Sequence, residues 1–385
     1  MAALLAALLV ARVSSEVGEV GAKSPRSARP ETATTGAWNA KAAAGYLDQR
    51  ERWWMGWQDA AREQGTFCVS CHTAVPYALA RPVLRKVLDE QTPTDDERKL
   101  LENARKRVRL WKQIAPVYND KEDGVNKSAE SRATEAVLLA LLLANQDAQN
   151  GKLSDETRAA FNNLWALQQT SGTLKGAWLW QLFDLNPWEG SISPYYGATL
   201  AAIALGTAPE NYRAAPEIQS NVKALCEYLG REYSSQPPVN RVMLLWASGK
   251  LPGLLVPERQ KAIADDILSK QQADGGWSLF PLTRTWRDWG PSSLLGEWKR
   301  QDGTPQEMKS DGYATGLVVF VLRQIGWSGE NAQLKRGREW LIRNQNEPEG
   351  FWLAYSLNKR RDPSSNVGRF MSDAATAYSV LALAN

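Results

Sequence analysis

Histidine is nearly absent: in 385 residues there is one, His72. Centres that need two or three imidazoles, as most catalytic zinc and non-haem iron sites do, are therefore excluded. A Ser–His–Asp triad or a Cys–His dyad would have to use that same side chain. Charge of one sign is also missing, since 46 basic against 42 acidic residues leave a net +4. That bias is too slight to point to nucleic acid as a partner. Glycine (28) and proline (19) stay at ordinary globular levels, which argues against disorder. Past the first residues, no stretch is long and apolar enough to span a bilayer. Tryptophan is what the chain has in excess, with 17 residues against 11 Tyr and 7 Phe.

The single histidine sits in Phe67-Cys68-Val69-Ser70-Cys71-His72. A Cys-x-x-Cys-His run reads as a c-type haem attachment site. Two thiols at this spacing, Cys68 and Cys71, would add across the haem vinyl groups, and His72 would lie beneath the iron as proximal ligand. One covalent haem c is the cofactor expected. Two other readings use the same residues. A thioredoxin-like redox pair wants a strand–helix setting, and no βαβ pattern lies nearby. A zinc site needs a fourth ligand, and the remaining cysteine, Cys226, is distant in sequence and falls on an apolar helical stripe, the place of a core residue.

Haem c is assembled outside the bacterial cytoplasm, so an exported, periplasmic protein is expected. Residues 1–13 form a hydrophobic N-terminus like the h-region of a signal peptide, but without the positive n-region, as in a truncated signal. Residues 14–36 are rich in Ser, Thr, Pro and charge and read as a flexible linker. No transmembrane anchor is expected in the mature chain.

From residue 37 to 385 the pattern is a helical repeat. Charged amphipathic helices are predicted over 38–60, 95–114, 154–169, 216–233, 257–271 and 331–345. They alternate with apolar, small-residue-rich helices over 71–88, 128–145, 193–206, 239–249, 310–325 and 372–384. A helix apolar all round is a buried one. About six hairpins of this kind predict an all-α chain, a single α/α toroid with the apolar helices inside.

The connections carry a second pattern. Leu164-Trp165 leads through Gln168-Gln169 to Gly176-Ala177-Trp178. Ile267-Leu268 leads through Gln271-Gln272 to Asp274-Gly275-Gly276-Trp277. Gly337-Arg338-Glu339-Trp340-Leu341 leads through Gln345 to Gly350-Phe351-Trp352. These resemble the QW repeats of the terpenoid cyclases, the squalene–hopene and oxidosqualene cyclase family, and the resemblance implies the toroid. Gln can bond orphan carbonyls at a helix end, Gly permits the turn, and Trp packs against the next repeat. The family's chemistry is not implied, because the central Asp-x-Asp-Asp acid is missing and so is the Asp-Asp-x-x-Asp magnesium motif. Asp95-Asp96 and Asp265-Asp266 read as solvated, and Asp311 and Asp373 as helix caps.

In a ring of antiparallel hairpins, all outer-to-inner connections lie at one end, so the long ones should share the end that carries His72. They are rich in aromatics and bases. Trp54, Trp57, Trp277, Trp286, Trp289 and Trp352 are the candidate pocket walls, and Arg284, Arg287 and Arg369 the candidate propionate partners. Bis-His ligation is impossible with one histidine. Met371, Met308 and Met55 are the candidate distal ligands, with an open distal site as the alternative. Three functions compete: a haem-dependent redox enzyme acting on an apolar, isoprenoid-like small molecule; an electron-transfer or redox-sensing cytochrome with a redox partner protein; and a cyclase-like protein with an unrecognised acid.

Overall fold

The computed structural model describes residues 37–285 and 298–384, and Trp38–Asn385 makes one compact unit. The described residues are mostly helical, so the chain is all-α, with one small strand pair, Ala61–Arg62 (β1) against Thr66–Phe67 (β2). Six amphipathic helices carry exposed charge: α1 (Ala40–Gly56), α3 (Asp95–Arg109), α6 (Asp155–Ala166), α8 (Gln219–Glu232), α10 (Pro257–Leu268) and α13 (Ala332–Arg343). Six others are largely buried: α2 (Ala74–Val87), α5 (Lys127–Asn150), α7 (Ser193–Thr207), α9 (Pro238–Lys250), α12 (Gly312–Gln324) and α14 (Phe370–Leu383). Two single turns, α4 (Asp120–Asp123) and α11 (Leu279–Leu282), lie in connections.

Each periodic segment falls on one of these helices, and the differences are at the ends. Helix α1 stops at Gly56, because Trp57 turns to an extended conformation and hands the chain to β1. Helix α5 runs on to Asn150 and closes on Gly151 in the left-handed conformation. Starts follow cap chemistry. Thr94 and Glu97 form a capping box on α3, and Asn39, Ser154, Asn331 and Asp311 each accept a backbone N–H of their helix.

The buried helices touch in cyclic order. Helix α2 packs on α5, α5 on α7, α7 on α9, α9 on α12, α12 on α14, and α14 returns to α2. Small residues allow the close approaches: a Cβ on Gly316 of α12 would come within 2.6 Å of the Ser379 backbone on α14. No helix among the described residues is long and apolar enough to cross a membrane.

The Gln–Gly–Trp connections are built alike. Gln168 Nε2 donates to the carbonyls of Gly176 (2.9 Å) and Asn221 (3.0 Å). Gln271 Nε2 donates to Gly275 (2.8 Å) and Gln333 (2.7 Å), and Gln345 Nε2 to Gly350 and Asn39 (3.0 Å each). One carbonyl in each pair is the connection's own glycine, and the other opens the next outer helix. The third copy thereby links the last outer helix to the cap of the first, 306 residues away. The indoles Trp178, Trp277 and Trp352 are fully buried and donate to the carbonyls of Leu164, Ile267 and Leu341 (2.7, 2.8 and 2.7 Å) near the ends of α6, α10 and α13.

The glycine of the third copy has a double constraint. Gly350 has φ +81°, and a Cβ there would overlap the backbone of Ala42 and Ala43. Gly253 has a similar φ of +84° but open space around it. Gly350→Ala should therefore lower stability by about 2–4 kcal/mol, from clash plus strain, and Gly253→Ala by only about 1 kcal/mol from strain. Denaturant midpoints of the two variants against the wild type measure the difference; equal losses would remove the role assigned to this junction.

Candidate functional site

Residues 68–72 connect α1 to α2 and are pinned from several sides. The β1–β2 hairpin brings Cys68 N to the Ala60 carbonyl (2.8 Å). Helix α3 holds the second strand: Asn103 pairs with both the N–H and the carbonyl of Phe67 (2.9 and 3.0 Å). Arg107, buried and paired with Glu135, donates to Thr66 Oγ1 (2.6 Å). Trp54 Nε1 donates to the Cys68 carbonyl (2.7 Å), and Ser70 Oγ accepts the N–H groups of Thr73 (3.3 Å) and Ala74 (3.1 Å) at the start of α2. The cap expected of a helix start is thus supplied by the serine inside the Cys-x-x-Cys spacer.

Both thiols are free, with no disulfide between them. Burial pushes Cys68 up to about 12 and Cys71 well above the ordinary thiol value, so both are neutral thiols. A thioredoxin-like pair requires the opposite shift. Among the described residues, no three His, Cys, Asp or Glu side chains converge as metal ligands, so the half-site has no zinc partner there.

The His72 ring lies in an aromatic cage. Phe370 stacks on it at 3.8 Å, Trp54 meets it edge-on at 4.9 Å, and Trp188 lies at 5.8 Å. Burial, and then the Arg50 charge, push His72 down to about 3, so at neutral pH it is uncharged imidazole, the form that ligates a metal. Nδ1 contacts Thr73 Oγ1 at 2.9 Å.

Two cavities adjoin this ring and share Trp54, His72, Tyr118 and Glu189. One, of about 50 Å³, is lined by both cysteines, Thr134, Glu135 and Gln181. The other, of about 190 Å³, is lined by Trp57, Trp188, Phe370, Met371 and, at its polar side, Asn186, Asn358 and Arg361. The walls come from the connections before α5, before α7 and before α14, so these long connections do meet at the end that carries His72. The buried Gln181 Nε2 has no hydrogen-bond partner beside the cysteines, a donor left for an acceptor that the chain itself does not supply. Glu189, which burial raises to about 7 against the Lys127 charge, is a second titratable wall.

The remaining candidates are dispersed. Trp277 and Trp352 are the plugs of the repeat junctions and line neither cavity. Trp286, Trp289 and Arg287 lie outside the described residues. Arg284 stacks over Phe280 and Trp298. Arg369 pairs with Glu349 (2.6 Å) over the ring of Phe351, leaving Arg361 as the guanidinium on the cavity. Met55 lines a separate groove of about 520 Å³ beside Lys99 and Lys106, and Met308 is exposed. Of the candidate methionines only Met371 lines a cavity with His72.

Two acidic readings change. Asp96 is buried and paired with Arg52 rather than solvated. Asp311 caps α12 as expected, but Asp373 does not cap α14: its carboxylate takes Arg50, Tyr46 and Thr73. Sequence reasoning missed Glu189 and Gln181, which lie in aromatic-rich connection sequence with no spacing rule to mark them. No protein-family model matches this chain, and no curated protein matches it.

Proposed function

We propose that the chain is an exported c-type haem protein, with Cys68 and Cys71 as the thioether residues and His72 as the proximal ligand. The carrying observation is that both free thiols and the one imidazole line a single cavity, in which Gln181 holds an unused donor. Buried, neutral thiols do not suit thiol–disulfide exchange, which needs the thiolate. The cyclic contacts of the six buried helices support an α/α toroid of the terpenoid-cyclase type as its scaffold. When bound, haem would supply one-electron iron chemistry and, with an open sixth position, oxidant chemistry. The chain's own part is to hold His72 neutral and oriented, to keep water from its face with Phe370 and Trp54, and to offer Arg361 and Gln181 to anionic groups.

The function best supported is a haem-dependent redox enzyme for an apolar, isoprenoid-like small molecule. Its support is the aromatic cavity beside His72, larger than the pocket at the cysteines, with Asn186, Asn358 and Arg361 to orient a polar end. Met371 on the same cavity favours a second reading, an electron carrier with thioether ligation and a protein partner. A periplasmic location follows from haem c assembly.

Two measurements test this. Acid acetone should leave haem on the wild-type chain, and Cys68→Ala with Cys71→Ala should abolish covalent haem; extraction from the wild type sinks the proposal. The reduced protein should bind carbon monoxide at an open sixth site. If it ignores carbon monoxide, shows the far-red ferric band of thioether ligation, and loses that band in Met371→Leu, the carrier reading replaces the enzyme.

A further inference from the structure

Thr73 stands between the histidine and a buried charge. Its Oγ1 is 2.9 Å from His72 Nδ1 and 2.8 Å from Asp373 Oδ2, across 300 residues of sequence. A hydroxyl has one proton to give. Which neighbour receives it follows from what surrounds Asp373. Oδ1 accepts from Tyr46 OH (2.8 Å) and Arg50 Nε (2.7 Å), and Oδ2 accepts from Arg50 Nη2 (3.0 Å) and Thr73. Four donors fill the four lone-pair positions of a carboxylate, and Arg50, which can only donate, engages both oxygens at once and so pairs with the ionised form. Asp373 therefore carries its charge, paired with Arg50, and Thr73 must donate to it. The Thr73 oxygen then accepts from His72, which places the imidazole proton on Nδ1 and the lone pair on Nε2.

We propose that Thr73 and Asp373 are positioning residues that fix His72 in the Nδ1–H tautomer and load its Nε2 with electron density for the metal it ligates. The geometry stands without haem; the functional consequence rests on the haem reading above. The relay is rigid. Arg50 also donates to the side chain (2.8 Å) and the carbonyl (2.7 Å) of Asn366, and Thr73 and Asp373 are both fully buried. Neutral imidazole free in water favours the proton on Nε2, so the fold reverses the side chain's own preference. An acceptor chain ending in a carboxylate makes a ligating histidine more basic. More electron density on the iron favours its oxidised state, so the relay holds the reduction potential down.

The test uses Thr73→Val, which keeps the shape and removes the hydroxyl, and Thr73→Ser, which restores it. Spectroelectrochemical titration of the holoprotein should show an upward shift of the midpoint potential in Thr73→Val and the wild-type value in Thr73→Ser; no shift, or a downward one, overturns the relay. If Thr73→Val does not fold, the wild type alone decides. As the sole histidine, [15N]His72 gives one imidazole spectrum, and the reduced holoprotein under carbon monoxide should show an Nδ1–H proton protected from exchange, with a nuclear Overhauser contact to the Thr73 methyl. A solvent-exchanging Nδ1 proton would refute it. Failure of the haem reading is separately visible as a chain without covalent haem. In that chain the same label should report the Nδ1–H tautomer, and the Nε2–H form would sink the relay.

Discussion

The interaction on which the rest depends is the buried carboxylate of Asp373. It joins Tyr46 and Arg50 of α1, Thr73 before α2, and its own helix α14, the first and last parts of the described fold. Burying an ion pair costs several kcal/mol of lost hydration, returned only if geometry and hydrogen bonding are complete. Here they are complete, because every carboxylate lone pair has a donor. Removing any one donor would strand charge in a dry site, so these elements can meet in only one way. The group that closes the fold is thereby the group that orients the histidine.

The repeat connections secure the same seam from the other side. Gln345 gives its amide to Asn39, and Asn39 returns its N–H to Gln345 Oε1 at 2.7 Å, tying the end of α13 to the cap of α1. The other copies join consecutive hairpins, whose closeness the chain already ensures. Only the copy at Gln345 joins ends that the chain does not hold together, with Gly350 set against the backbone of Ala42 as Gly176 and Gly275 are set against Ala224 and Arg336.

Helices and junctions were legible in the sequence because their physics is local. Apolar period, caps such as Thr94 with Glu97, and the Gln–Gly–Trp order all act within a few residues of one another. The candidate site was legible at residues 68–72, where the Cys-x-x-Cys-His spacing is itself the signal, and in Trp54, Trp57 and Met371, which line a cavity with His72. Asp373 looked like a cap, since a carboxylate in the first turn of a helix ordinarily is one; its partners lie 300 or more residues away. Trp277 and Trp352 sit in the right connections, but their indoles turn into the helix junctions and not to the cavities. Glu189 and Gln181 gain their character from burial against other connections, which no local pattern encodes.

A histidine that must present one nitrogen to a ligand needs a fixed acceptor for the other. A carboxylate in direct contact would leave a charge against the imidazole, inside a cage whose other walls are Phe370, Trp54 and Trp188. Interposing Thr73 moves that charge one hydrogen bond away, where Arg50 neutralises it and Tyr46 completes it. The imidazole keeps the directional pull of the carboxylate without its field in the cavity. That separation allows the aromatic walls, Phe370 at 3.8 Å among them, to remain apolar, and it makes the setting of His72 depend on the contact between the first and last helices.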